Sequence, residues 1–212
     1  ASDVYKRQAD YDTLTTQYLR DFHRRYYTAR QCRLVLSGRI TDEMKTAVID
    51  TFAALPQGEA HVPLYIPVSC HDGNHYRFVE KAGALQSGIR VGRFLVGREH
   101  PDHHLLRVLN TLLGGYFGSR LMSNIREEKG YTYGIQSSVV TYPDVSYGVV
   151  LTQAATRYVK PLLEEIFKEF DRLREEPVEA DELHMVRSYM TGELLRLFDS
   201  PFSLAEVFVT LL

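Results

Sequence analysis

Two long β-prone runs, Tyr131 to Thr141 and Ser146 to Ala155, are joined by Tyr142-Pro-Asp-Val145, a composition that closes an antiparallel hairpin through a short turn. Because a hairpin fixes the direction and register of its strands, the rest of a sheet has to be built around it. Upstream, Tyr76 to Lys81 and Gly88 to Val96 read as two further strands, the second with Ile89, Val91 and Phe94 among Gly and Arg residues. Two helices are expected downstream, Tyr158 to Arg174 and Val178 to about Phe198, with Pro161 and Pro177 near their starts, where proline is tolerated. Strands with helices grouped after them predict an α+β fold, a two-layer α/β sandwich whose mostly antiparallel sheet is covered on one face and leaves its other face or an edge available.

Between the second strand and the hairpin, Asp102 is placed to cap a helix. Its Leu105, Leu106, Val108, Leu109, Leu112 and Leu113 make a broad apolar face, ended by Gly114-Gly115. A second helix is expected from Ser119, with Leu121, Met122 and Ile125 toward the core and Gly130 at its end. Nearer the start of the chain, Leu14, Tyr18, Phe22 and Tyr26 recur once per helical turn, Cys32 to Leu36 suits a buried strand, and Thr41 caps a helix through about Ala54. Pro56, Gly58, Pro63 and Pro67 fall in a stretch to Cys70 without sustained period, which reads as a linker. The expected organisation is therefore 1–57 as a helix-strand-helix lead-in and 58–212 as the principal domain. The apolar run Leu204 to Leu212, without a capping glycine or polar tail, suggests that more chain follows.

Composition removes several functions. The 25 Lys and Arg against 27 Asp and Glu give a formal charge of -2, so counterion release offers nothing toward nucleic acid. No apolar run approaches the roughly 18 residues of a spanning helix, and the opening ASDVYKRQAD lacks a signal-peptide core; a soluble chain with no membrane partner is expected. Cys32 and Cys70 are too few for a disulfide framework and leave the compartment open. Neither His-Glu-x-x-His nor its inverse occurs. His71 with His75, and His100 with His103 and His104, lack a third ligand and read as loop histidines. Gly118-Ser119-Arg120 has no second glycine for a nucleophile elbow and reads as a helix cap, and the glycines at 114, 115 and 118 are not followed by Gly-Lys-Ser/Thr.

The stretch from Gly114 to Gly134 remains. There a helix carrying Arg126 passes through a glycine into a strand carrying Tyr133, so a guanidinium and a phenol could converge at one sheet edge. Such a pair would suit a peptide: Arg offers a planar fork of donors for a carbonyl or carboxylate, and Tyr a single donor for developing oxyanion charge. The residues alone favour Arg126 as an exposed helix residue paired with Glu, and Tyr133 as sheet packing.

Ser119-Arg-Leu121, Arg126-Glu127 and Gly130-Tyr-Thr-Tyr-Gly134, in this order, resemble the C-terminal-domain signature of the insulinase/pitrilysin family of zinc peptidases. The resemblance extends back through Leu85-Gln86-Ser87, Leu109-Asn-Thr-Leu-Leu-Gly114, Phe22-His-Arg-Arg-Tyr-Tyr27 and Leu34-Val-Leu-Ser-Gly38. It covers about Tyr11 to Glu175 and is looser in the later helices. It implies a metallohydrolase-like half of a molecule whose two homologous halves close on a peptide. The first half carries His-x-x-Glu-His and a distal Glu, and the second an Arg and a Tyr, which fall here on Arg126 and Tyr133. It further implies no metal or cofactor site in this chain, zinc in the partner half on the same polypeptide or a separate subunit, and a peptide substrate. Tyr133 would donate to the tetrahedral oxyanion and Arg126 would hold the peptide backbone or its carboxylate. The competing expectation is a non-catalytic family member that serves as an assembly or peptide-binding subunit. An unpaired edge at Cys32 to Leu36 also predicts self-association.

Overall fold

In the computed structural model, residues 11–59, 75–142 and 145–211 are described. The hairpin forms as expected. Strands β1 (Ser87–Leu95), β2 (Thr132–Thr141) and β3 (Ser146–Ala154) make an antiparallel sheet in the order β1-β3-β2, with the amide of Tyr142 donating to the Val145 carbonyl at 2.8 Å across the turn. Registration places Thr152 of β3 between Ile89 and Ile135, and Val150 between Val91 and Ser137. These rows, with Ala154, form the face on which the helices lie.

The chain divides into two compact units, Ala1–Ile66 with Leu195–Leu212 and Pro67–Leu194. In the larger unit, α3 (His103–Asn110) continues into a π-helical turn, Thr111–Gly115, broken at Gly114, whose backbone is non-helical (φ -161°, ψ 15°); a second π-helical segment spans Met122–Glu128; and α4 (Val159–Glu175) and α5 (Ala180–Arg196) follow the sheet. Leu121 and Ile125 from one segment and Leu162 and Ile166 from α4 have no exposed surface, and they meet Ile89, Ile135 and Val150 in the core. Each pair is spaced by four residues, one helical turn, so each segment drives a single ridge into the sheet.

Beside this apolar core runs a polar layer. Arg120 donates from Nε and Nη2 to the two carboxylate oxygens of Glu182, both at 2.7 Å, in a bidentate pair that takes the arginine almost fully out of solvent. The buried Glu169 accepts from Asn124 at 2.7 Å and from Arg172 at 3.1 Å, and Glu165 accepts from Asn124 at 3.2 Å and from Lys168 at 2.6 Å. Carboxylates at these α4 positions are tolerated only because each is hydrogen-bonded and paired with a cation.

In the smaller unit, α1 (Thr16–Tyr26) and α2 (Asp42–Ala53) begin at Thr15 and Thr41, whose hydroxyls accept from the amides of Tyr18 and Met44. The helix α6 (Pro201–Leu211) belongs to the same unit.

The structure corrects several expectations. Cys32 to Leu36 and Tyr76 to Lys81 contain no strand; Leu34 and Leu36 are 47% and 46% exposed and Tyr76 84%. Apolar runs signal a tendency to be buried, but a strand also needs a ladder partner, which the apolar content of one segment does not supply. Asp102 precedes α3 without a side-chain cap, and the hydroxyl of Ser119 is buried with no hydrogen-bond partner, so neither acts as the cap its position suggests. Leu105 and Leu109 are exposed on α3, and only the later Leu112 and Leu113 are buried. Cys70, His71 and the linker from residue 60 onward lie outside the described residues.

Two measurements check this packing. Ile125→Ala is expected to cost about 2–5 kcal/mol of unfolding free energy in urea, the usual range for a fully buried Ile truncation. The Lys168 hydrogen bond, helped by Asn124 and Lys129, holds the Glu165 carboxyl below the usual carboxylate range. A depressed carboxylate contributes stability above its unfolded pKa of about 4.3 and loses it as pH falls through the folded value. Between pH 7 and pH 3 the urea midpoint should therefore fall more steeply for the wild type than for Glu165→Gln.

Candidate functional site

The π-helical turn at Thr111–Gly115 is pinned to β2 by a reciprocal pair: Asn110 Nδ2 donates to the Ser137 carbonyl at 3.3 Å, and the Ser137 hydroxyl donates to the Asn110 carbonyl at 3.1 Å. Gly114 lies so close to β2 that a Cβ there would meet the Ser137 amide nitrogen at 2.7 Å, which explains the glycine. Held this way, the loop Gly114-Gly-Tyr-Phe-Gly118 projects over the end of the sheet. Tyr116 leans on Tyr189 of α5, ring centroids 5.1 Å apart, and Phe117 is 64% exposed. Burial, together with the negative charge of Glu182, pushes the Tyr116 hydroxyl above the ordinary phenol range, so it is a neutral donor near pH 7.

The helix from Arg120 then widens into the π-helical Met122–Glu128, where the Lys129 amide bonds to Asn124 O at 3.1 Å, a five-residue closure. Gly130, at φ +63°, stops it in the left-handed conformation favoured after a helix C-terminus. Two residues on, β2 begins with a bulge: Thr132 opposes Ala154 and Ile135 opposes Thr152, so Tyr133 and Gly134 together face Gln153.

Hydroxyls hold the bulge. Thr132 Oγ1 lies 2.6 Å from the Gln153 carbonyl and 2.9 Å from that of Gly134, to one of which it donates, and it accepts from the Gly134 amide at 3.1 Å. Thr152 Oγ1 is 3.0 Å from Thr132 Oγ1 and 2.8 Å from the Gly134 carbonyl. The result is a rigid kink that turns Tyr133 outward, 90% exposed, instead of packing it on the sheet.

Tyr133 lines a cavity of about 640 Å³ bordered by Tyr116, Phe117, Met122, Gln136 and Gln153. Arg126 is not part of that lining. It reaches the cavity through Phe117, its Cζ standing 4.9 Å from the ring centroid, and it forms no ion pair among the described residues, so the pairing with Glu that its helix position allows is absent. Tyr133 thus lines the cavity directly, and Arg126 is linked to it only through the Phe117 ring. Of the residues that shape that cavity, Phe117 and Thr132 lie within the stretch Gly114 to Gly134 without a feature that marks their roles there, and Thr152 lies outside it with no distinguishing signal.

A metal does not fit the residues seen here. No group of three or more His, Cys, Asp or Glu side chains is placed to hold one among the described residues. The nearest approach is His103, buried with Nδ1 unpartnered and edge-on to His104 at 5.7 Å; His100 Nδ1 instead accepts from the Asp102 amide at 3.2 Å.

Thr132→Val keeps the shape of the side chain and removes its hydroxyl, so the Gly134 amide and the Gln153 carbonyl lose that partner, while the Thr152 hydroxyl keeps the Gly134 carbonyl. It should cost about 1–3 kcal/mol in urea unfolding. It should also broaden the Tyr133 and Gly134 amide resonances while those of the β2-β3 turn stay sharp.

The family model described as Peptidase M16 inactive domain matches residues 13–190. An uncharacterized zinc protease of Mycobacterium leprae is 30% identical over 62% of this chain and 30% of its own length, and one of Bacillus subtilis is 24% identical over 86% of this chain and 44% of its own. The chain therefore spans less than half the length of these curated relatives. The crystal structure of a protease from Helicobacter pylori superposes with a TM-score of 0.83 at 20% identity, covering 95% of this chain and 50% of that one, and shares its fold. With the motif from Ser119 to Gly134, the α+β fold and a family match across most of its length, the chain belongs to the peptidase M16 inactive-domain family, the C-terminal domain type of the insulinase/pitrilysin peptidases.

Proposed function

We propose that this chain is the substrate-binding half of a zinc-dependent metalloendopeptidase acting on peptides, with Arg126 and Tyr133 as the groups that meet the substrate. The observation that carries the reading is Tyr133: a bulge built from two threonines holds its phenol outward at a cavity, where burial in the sheet would otherwise be the stable choice. A donor fixed before the substrate arrives stabilises an oxyanion without reorganisation, which is how such groups lower a barrier. Arg126, free of any carboxylate among the described residues, retains its donors for a peptide carbonyl or carboxylate. Among the described residues β2 is an edge strand, which supports main-chain pairing with an extended substrate and hence broad sequence selectivity.

Zinc and its activated water would be supplied by a homologous half, either on the same polypeptide or as a separate subunit. The naming of the relatives as zinc proteases and the share of their length spanned here both support that division. On this reading residues 1–57 finish the preceding family domain and 58–212 form the C-terminal one.

The test is cleavage of a quenched fluorescent peptide library by this chain assembled with its zinc-containing half. Tyr133→Phe is expected to lower kcat by about 10²–10³, the usual cost of one oxyanion donor. Arg126→Ala should lower kcat/KM by about tenfold or more, the scale of a hydrogen bond to a charged group. Absent cleavage, or cleavage indifferent to both substitutions in folded protein, would instead identify a non-catalytic assembly or peptide-binding subunit.

A further inference from the structure

Resting on the peptide-binding reading above, we propose that Phe117 is a positioning residue: its ring face holds the Arg126 guanidinium in place by a cation–π contact and leaves the guanidinium donors free for the substrate.

Three other arginines of this unit are held by carboxylates, whereas Arg157, like Arg126, has its Cζ over a ring, that of Tyr158 at 4.8 Å. Arg120 gives two N–H groups to Glu182, Arg172 bonds Glu169 and Glu176, and Arg174 pairs with Asp171. Each is fixed in place at the expense of its donors, because a carboxylate binds through the same N–H groups that a peptide carbonyl would use. Arg126 is flanked in sequence by Glu127 and Glu128, yet among the described residues it bonds to neither. Its Cζ lies instead over the Phe117 ring, 4.9 Å from the centroid. An aromatic face attracts the cation through its quadrupole and accepts none of the in-plane N–H groups. A half-buried guanidinium is thereby oriented without being consumed.

The position of Phe117 is itself hard to explain by packing. It is 64% exposed, on a loop whose anchoring is done by Asn110, Gly114 and Ser137, and it lines the same cavity as Tyr133. An apolar ring left in solvent contributes little to the core, whereas one beneath a guanidinium at a cavity rim gives the arginine a preferred orientation and reduces the side-chain entropy lost when substrate binds. Phe117 therefore acts on the substrate through Arg126.

The experiment is a double-mutant cycle of Phe117→Leu and Arg126→Ala. Affinity for a labelled cleavable peptide is measured with the assembled protein at a chelator concentration that stops turnover, and the Arg126 Nε–Hε resonance is followed in the full chain. Phe117→Leu should weaken binding about two- to fivefold, the scale of an exposed cation–π contact, and have no further effect in the Arg126→Ala background. The upfield ring-current shift of the Arg126 resonance should disappear in Phe117→Leu and be retained in Phe117→Tyr and Phe117→Trp, which should also restore affinity. Additive losses from the two substitutions, or an Arg126 resonance indifferent to Phe117→Leu, would overturn the clamp while leaving the peptide-binding reading standing. Binding unaffected by Arg126→Ala would overturn that reading and the clamp with it.

Discussion

The geometry around the cavity is referenced to two side chains that carry no chemistry, Leu121 and Ile125. Both are fully buried between sheet residues Ile135 and Val150 and helix residues Leu162 and Ile166, so the rotation of the segment Met122–Glu128 about its axis is not free. With Ile125 fixed, its neighbours are committed to opposite tasks. Asn124 turns to the buried carboxylates of α4, and Arg126 turns to the Phe117 ring. Two positions along the chain separate a polar layer that holds the fold from a cation that rests on a ring lining the cavity. Interiors packed to crystal-like density transmit a lost methylene into such neighbours, so the placement of Arg126 depends on a core it does not touch.

Much of this was legible in the sequence. The hairpin from Thr132 to Ala154 follows from two long β-prone runs and the turn composition between them, and the two helices after it follow from their proline-marked starts. Gly130 announced its helix end because the conformation it adopts, φ +63°, is one that glycine takes without steric cost. What could not be read depends on contacts between distant residues. The bulge at Thr132 exists because Thr152, twenty positions later, offers a hydroxyl at 3.0 Å; neither threonine differs in sequence from one that merely favours a strand. The π-helical widening of Met122–Glu128 is likewise invisible, since Leu121, Met122 and Ile125 fit an ordinary helical face equally well. Cys32 to Leu36 and Tyr76 to Lys81 fail for the complementary reason: their apolar content is real, but pairing is a property of two segments and periodicity reports on only one.

Arg120 and Arg126 show how little a residue type says about its task. They lie six residues apart in one motif, and neither composition nor spacing separates them. Arg120 is 9% exposed at its side chain and gives two donors to Glu182, so its charge has been desolvated and then neutralised, and its remaining Nη1 is buried away from any ligand. Arg126 is only half-buried, without a carboxylate among the described residues, and it rests on a ring that takes no donor from it. A buried arginine needs an acid because the interior will not tolerate its charge alone, whereas an arginine at a solvated rim can remain uncommitted at little cost. Burial therefore decides the division of labour in this motif: the arginine that the core encloses must be paired and becomes structural, and the one left at the edge keeps its donors available for chemistry.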